Sequence, residues 1–306
     1  MHRMLKWEKR IEGRLLALSV FILKLIAVLS MFIDHLTYVL RLAGHLPYGN
    51  LYILGRAIGR PAFVIYCFLL VNGFEKTRDR RLYFRRLIAF AVISQLPFSL
   101  AFTRENYYAL ATAAFSFDLM KVLPLLAVSA VAFFCLCERR FDPLLGWMLA
   151  AFALSGVKLT VGGICLLDTH ANVFYTLAAG FAAMLLLESF RAEDIRWPRA
   201  LLLLAAFAAE LFFLQQDADY GLIGVALIAA LYLSREKRAL QLLLAAVWCL
   251  AEYKLYWPYL GGALAALIPM AAYNGKLGRK MRTAFYVFYP AHLALLGLVF
   301  LLLSRI

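Results

Sequence analysis

Apolar residues run through this chain in long blocks, neither alternating nor confined to one helical stripe. Blocks of roughly 17 to 25 residues match the length of helix that crosses the hydrocarbon of a bilayer. They recur at about 15–42, 57–74, 87–103, 107–137, 143–167, 171–189, 198–214, 219–233, 239–256, 258–272 and 283–303. The pattern predicts an all-α, polytopic transmembrane helical bundle of about eleven spans, within a range of ten to twelve. Asp118 and Lys121 interrupt the 107–137 block, which reads either as one long broken helix or as a re-entrant segment followed by a span. Soluble helices show a polar face, and most of these blocks show none.

The polar positions between blocks carry a direction. Alternate connections hold 23 of the 32 Lys and Arg, clustered at 3–14, 76–86, 139–140, 191–199, 235–238 and 276–282. The opposite set holds Arg41, Arg56, Arg104, Lys254 and Arg305, while Lys24, Arg60, Lys121 and Lys158 fall inside spans. Positive charge concentrates on the cytoplasmic side of membrane proteins, so the N-terminus is expected in the cytoplasm and the C-terminus outside. The formal charge of +14 is then a topology signal and not a nucleic-acid footprint. The basic, apolar start resembles a secretory signal, but its apolar stretch is too long and no small-residue cleavage site follows it. It is expected to be an uncleaved first span.

Composition agrees with this reading: 64% of the 306 residues are apolar and 16% charged, against about a quarter charged in soluble domains. The connections are too short to hold a soluble domain, so 1–306 reads as one integral membrane domain. No internal repeat is visible, which disfavours many transporter architectures. Cys67, Cys135, Cys137, Cys165 and Cys249 lie in apolar runs without framework spacing and read as packing residues.

Ionisable groups inside spans are costly and face a protein interior, a partner or a cavity. In the first span Lys24, Met31, His35 and Tyr38 share a stripe, and Asp34 lies about 100° around the helix from His35. Asp34 is therefore expected to bind a neighbouring helix, not His35. Arg60, just before Pro61 in the second span, is a candidate partner for Asp34 or for an anionic ligand. In the last span Tyr289 and His292 share a face two turns after a basic cluster, and Pro290 interrupts the helix's bonding. Asn172 and Thr176 share a face of the sixth span, His170 reads as a loop residue, and Asp217 and Asp219 precede the eighth span as candidate caps. Gly162-Gly163 and Gly261-Gly262 read as close-packing sites. The basic residues around 76–86 suit anionic headgroups or a phosphorylated ligand as well as topology. Zinc-protease, phosphate-loop and dinucleotide motifs are absent, and the histidine spacing favours no metal site.

Seven of these stretches, in order, resemble the TraX family of conjugative-pilus acetylation proteins: LKLIAVLSMFIDHL (23–36), GRPAFVIYCFLLVNGFEKT (59–77), YFRRLIAFAVISQLP (83–97), NVFYTLAAG (172–180), ADYGLIGV (218–225), YNGKLGRK (273–280) and FYVFYPAHL (285–293). In that family the SQLPF stretch is soon followed by the asparagine–threonine stretch, whereas here about 70 residues, 99–171, intervene as a possible extra helical segment. The resemblance implies a multi-pass protein of the bacterial inner membrane, distantly similar to the membrane acyltransferases. It implies acetyl transfer from acetyl-CoA, a CoA thioester supplied from the cytoplasm, to the N-terminal amine of a pilin. A lipid or polysaccharide hydroxyl is the competing acceptor, with a transporter and a noncatalytic assembly factor as further readings.

The residue matching the favoured catalytic histidine of that superfamily is His35, expected as general base. Asp34 is then its electrostatic partner through a neighbouring residue, and Arg60 a donor to the oxyanion or an anchor for the thioester. Arg85, Arg86, Asn274, Lys276 and Lys280 are the candidates for holding CoA at the cytoplasmic mouth. Tyr286, Tyr289 and His292 are expected to line the route inward.

Overall fold

In the computed structural model, residues 18–103, 114–119, 123, 150, 151, 153–191, 218–279 and 282–303 are described. The helices among them are α1 (Val20–Leu42), α2 (Asn50–Gly59), α3 (Pro61–Lys76), α4 (Arg80–Phe102), α5 (Val173–Arg191), α6 (Gly221–Leu233), α7 (Arg238–Tyr253), α8 (Trp257–Leu264), α9 (Leu267–Ala271) and α10 (Arg282–Leu303). Four helical stretches are long and apolar enough to cross a membrane: Val20–Leu42, Asn50–Lys76, Arg80–Phe102 and Thr283–Leu303. The stretches Val173–Glu188, Gly221–Leu233 and Trp257–Ala271 are apolar but shorter. Most of the expected block 107–137, and all of 198–214, lie outside the described residues.

The all-α expectation needs correction. Strands β1 (Ala114–Phe117), β2 (Val157–Val161) and β3 (Ile164–Leu167) form an antiparallel sheet in that order. The block expected as a span over 143–167 therefore ends in a hairpin. Gly162 and Gly163, expected to serve helix packing, have φ of 57° and 80° and make the two-residue turn between Val161 and Ile164. Positive φ at both central residues matches the twist of paired strands. An apolar run this short cannot be told from a helix by hydropathy alone. Lys158, expected inside a span, pairs across this sheet with Ser116.

The second span begins earlier than expected. Helix α2 starts at Asn50, and the chain turns at Arg60 into α3, whose first residue is Pro61. Proline has no N–H to lose at a first helical position, so the two helices abut with little cost. The expected 258–272 block is broken at Ala265–Ala266 into α8 and α9.

Helix α1 packs on α2 and α3, α10 packs on α4, and α5 packs on α4 and α6. Phe74 meets the rings of Phe181 and Tyr232 edge-on, at 5.0 and 5.5 Å, where α3, α5 and α6 pack together. The 272–277 segment is stitched to the entry of α1: Leu18 N donates to Ala272 O (2.8 Å), Asn274 N to Leu18 O (3.0 Å) and Val20 N to Lys276 O (2.9 Å). The connection between α9 and α10 is thus held against the entry of α1.

Candidate functional site

The sequence around α2 reads Gly55-Arg56 and, four residues on, Gly59-Arg60. Four-residue spacing puts both glycines on one face of the helix, where small residues let backbones approach. A Cβ at Gly59 would lie 2.1 Å from Asp34 Cβ, and one at Gly55 would lie 2.3 Å from Thr37 Oγ1. The two helices therefore touch at these glycines, and the arginines that follow them flank Asp34. Arg56 Nη1 meets Asp34 Oδ2 at 2.8 Å, and Arg60 Nη2 meets Asp34 Oδ1 at 2.6 Å. Arg60 Nε also donates to Arg56 O (2.9 Å). The Arg56 guanidinium lies 4.8 Å over the Tyr38 ring and that of Arg60 lies 5.4 Å over Tyr259. Substituting Gly59 by Ala is expected to lower stability by about 1–3 kcal/mol, the usual cost of overpacking, read as a lower unfolding temperature in detergent.

Asp34 was expected to reach across to a second helix with Arg60 as candidate partner, and the geometry is of that kind. Arg56 was placed in an outer connection by the charge pattern. It instead lies within α2 and supplies the second half of the grip. The doubled Gly-Arg step was the signal that could have found it.

Neighbouring His35 points the other way, to α10. Its Nδ1 lies 2.8 Å from His292 Nε2, with the two rings stacked at 5.0 Å between centroids. His292 Nδ1 lies 2.8 Å from Phe288 O. A carbonyl only accepts, so His292 Nδ1 carries a proton. With neutral rings, His292 Nε2 is then an acceptor and His35 Nδ1 must donate to it. This leaves the lone pair of His35 Nε2 free of that chain. Phe102 meets the His35 ring edge-on at 4.9 Å, Tyr289 lies 6.4 Å away, and Phe288 stacks on His292 at 4.7 Å. His292 is buried, and so are Tyr289 and Asp34.

A buried latch closes the region from the other side. Asn172 Nδ2 donates to Ala91 O and to Gln95 Oε1, each at 2.8 Å, while Gln95 Nε2 donates to His170 O (2.7 Å). These bonds tie the loop before α5 to α4. Thr176 Oγ1 donates to Asp219 O (2.5 Å), and Asp219 N donates to Ala171 O (3.0 Å). Asp219 makes no side-chain cap on α6, contrary to expectation, and Asp217 lies outside the described residues. The next residue, Tyr220, has φ of 61° and stacks flat on Phe63 at 3.7 Å. Its neighbour's carboxyl lies within electrostatic reach of His170, Arg60, Asp34 and Arg56. A carboxylate just before a helix reads as a cap, and Gln95 carries no local signal of its role between α4 and the loop before α5.

The expected CoA-holding residues lie toward the opposite end of α1. Asn274 Oδ1 accepts from Lys276 N (2.9 Å), so this oxygen shapes the turn in which Gly275 has φ of 77°. Lys276 and Arg86 are exposed and Arg85 is half-buried, and Lys280 lies outside the described residues. Tyr286 stacks on Phe90 at 5.1 Å. From Val20 to His35 is fifteen residues of helix, or about 22 Å. Among the described residues no cluster of three or more His, Cys, Asp and Glu could hold a metal ion.

The arrangement is that of a multi-helix membrane protein with an ionised and imidazole-rich site buried between α1, α2 and α10. The chain matches the TraX protein family over residues 19–165 and 123–300, and it belongs to that family. It is also similar to a probable fimbrial assembly protein FimC, serogroup H1, of Dichelobacter nodosus, with 27% identity over 293 residues that cover 91% of this chain and 94% of the relative. No solved structure matches it significantly.

Proposed function

We propose that this protein is an acetyltransferase of the bacterial inner membrane that moves an acetyl group from cytoplasmic acetyl-CoA to the N-terminal amine of a pilus subunit. The family, and a relative named for fimbrial assembly, support a role in pilus assembly or modification. The reading takes the eleven-span topology with the N-terminus inside, so that the end of α1 near Leu18 faces the cytoplasmic donor and His35 lies deeper. Residues 99–171 are then an added segment that bears on acceptor access.

One observation carries the chemistry. The chain from Phe288 O through His292 to His35 holds the His35 ring in one tautomer and leaves Nε2 as a base. The acceptor amine attacks the thioester carbon, its proton passes to His35 Nε2, and the C–S bond then breaks. The departing CoA sulfur takes that proton, so acetyl-CoA and amine become acetamide and free CoA. General-base help of this kind contributes about 10²–10⁴-fold. Arg56 and Arg60 spend part of their N–H groups on Asp34, and those remaining supply positive charge for the developing oxyanion.

The test is the mass of pilus subunits from cells with and without the gene. Subunits that carry an N-terminal acetyl group only when the gene is present support the reading. Unmodified pilin in both, with acetate found instead on a lipid or glycan hydroxyl, moves the acceptor to the second class.

A further inference from the structure

At the end of the bundle remote from His35, two cations meet at one ring. Lys76 Nζ lies 5.3 Å and the Arg238 guanidinium 5.4 Å from the centre of the Tyr273 ring. The two charges are therefore within about 11 Å of each other. Among the described residues both bond to neutral groups. Lys76 donates to the Tyr273 hydroxyl (3.0 Å) and Gly275 O (2.6 Å), and Arg238 Nη1 reaches toward Met270 O (3.4 Å). Their neighbours differ: Arg235 pairs with Glu75 at 3.0 Å, and Arg80 pairs with Glu188.

Arg238 does not lean outward as a topology signal would. Its guanidinium lies 4.6 Å over Phe68, a fully buried residue of α3. A cation turned into a membrane bundle without a carboxylate partner marks a functional site by default. Two such cations drawn to one ring repel each other until an anion comes between them. The loop that carries Tyr273 and Gly275 is stitched to the entry of α1, so the pair is held in place before any ligand arrives.

We propose that Lys76, Arg238 and Tyr273 form an anion site for a phosphate-bearing ligand, the diphosphate end of the acyl donor. The inference rests on the acetyl-CoA reading and sharpens it by moving the phosphates from Arg85 and Arg86 to the α3–α7 mouth. Arginine's fork and a lysine point charge together suit several phosphate oxygens. Spacing agrees: along α3, Phe68 is about 12 Å and Lys76 about 24 Å from Arg60. A pantetheine arm extends roughly 15–20 Å at standard bond lengths, so phosphates held here place the thioester near Arg60.

The experiment measures CoA binding by calorimetry to the full-length protein in nanodiscs of zwitterionic lipid, with inorganic pyrophosphate as competitor. K76Q and R238Q are each expected to weaken CoA binding on the order of tenfold. Pyrophosphate is expected to compete, and K76Q and R238Q to keep the wild-type unfolding temperature. CoA affinity unchanged in the K76Q/R238Q double variant overturns the site. If CoA does not bind at all, but phosphatidylglycerol co-purifies with wild type and not with the double variant, the anion site stands. The ligand is then a lipid headgroup, and the acetyl-CoA reading falls.

Discussion

Replacing His35 by alanine is expected to lower acetyl transfer by at least about a hundredfold, at the lower limit of what a positioned general base contributes, while acetyl-CoA affinity stays within a few-fold of wild type. The separation of effects follows from geometry. His35 lies about 22 Å along α1 from Val20, far from the mouth proposed to hold the nucleotide end of the donor. His292 should behave differently. H292F keeps a ring stacked between Phe288 and His35 but removes the acceptor for the His35 Nδ1 proton. His35 then loses the bond that fixes its tautomer, and transfer is expected to fall by a smaller factor, about tenfold, one hydrogen bond's worth. Equal loss in H35A and H292F would contradict a base-and-orienter division. A near-normal rate in H35A would remove His35 from the chemistry. Steady-state rates with labelled acetyl-CoA decide between these outcomes.

The second large effect is on stability. Asp34→Ala leaves the half-buried Arg56 and Arg60 beside each other without their shared counter-charge. Breaking a buried ion pair by removing one partner costs about 3–5 kcal/mol, because the remaining charge is uncompensated. Here two charges are left but both arginines are only half-buried, so the lower part of that range, about 3 kcal/mol, is expected. Asp34→Asn keeps one acceptor oxygen in place and should cost less. Replacing Arg56 and Arg60 by methionine in the Asp34→Ala background should recover much of the loss, since no buried charge remains. Denaturant unfolding in detergent measures all three. A D34A protein that unfolds like wild type would mean that water reaches the arginines and that the cluster is not a buried one.

Much of this site was legible in the sequence, for identifiable reasons. Asp34 and His35 are adjacent, and adjacent helical residues point about 100° apart, so each had to find a different neighbour. Arg60 sat inside an apolar block, where an arginine needs a partner. The pairing of His35 with His292, 257 positions apart in the chain, was not legible, because no local pattern says which faces of α1 and α10 meet. Arg56 was lost to an averaging effect. Charge counting assigned it to a connection, while the glycine spacing that places it on the α1-facing side of α2 is a finer signal. The hairpin at 157–167 failed for a related reason. Hydropathy windows see Val157–Leu167 as one apolar block, and the paired glycines at its centre turn it back on itself. Asp219 escaped because a carboxylate just before a helix reads as a cap, yet its main chain is held by Ala171 and Thr176 and its side chain caps nothing.

The measurement that tests the central claim most directly is release of free CoA together with appearance of acetylated acceptor, followed in proteoliposomes that contain only this protein, labelled acetyl-CoA and an amine-bearing pilin peptide. The account predicts label on the peptide amine in proportion to CoA released, with label falling to background in H35A. Passage of peptide or solute across the membrane without consumption of acetyl-CoA, unchanged in H35A, would contradict it and make the chain a transporter.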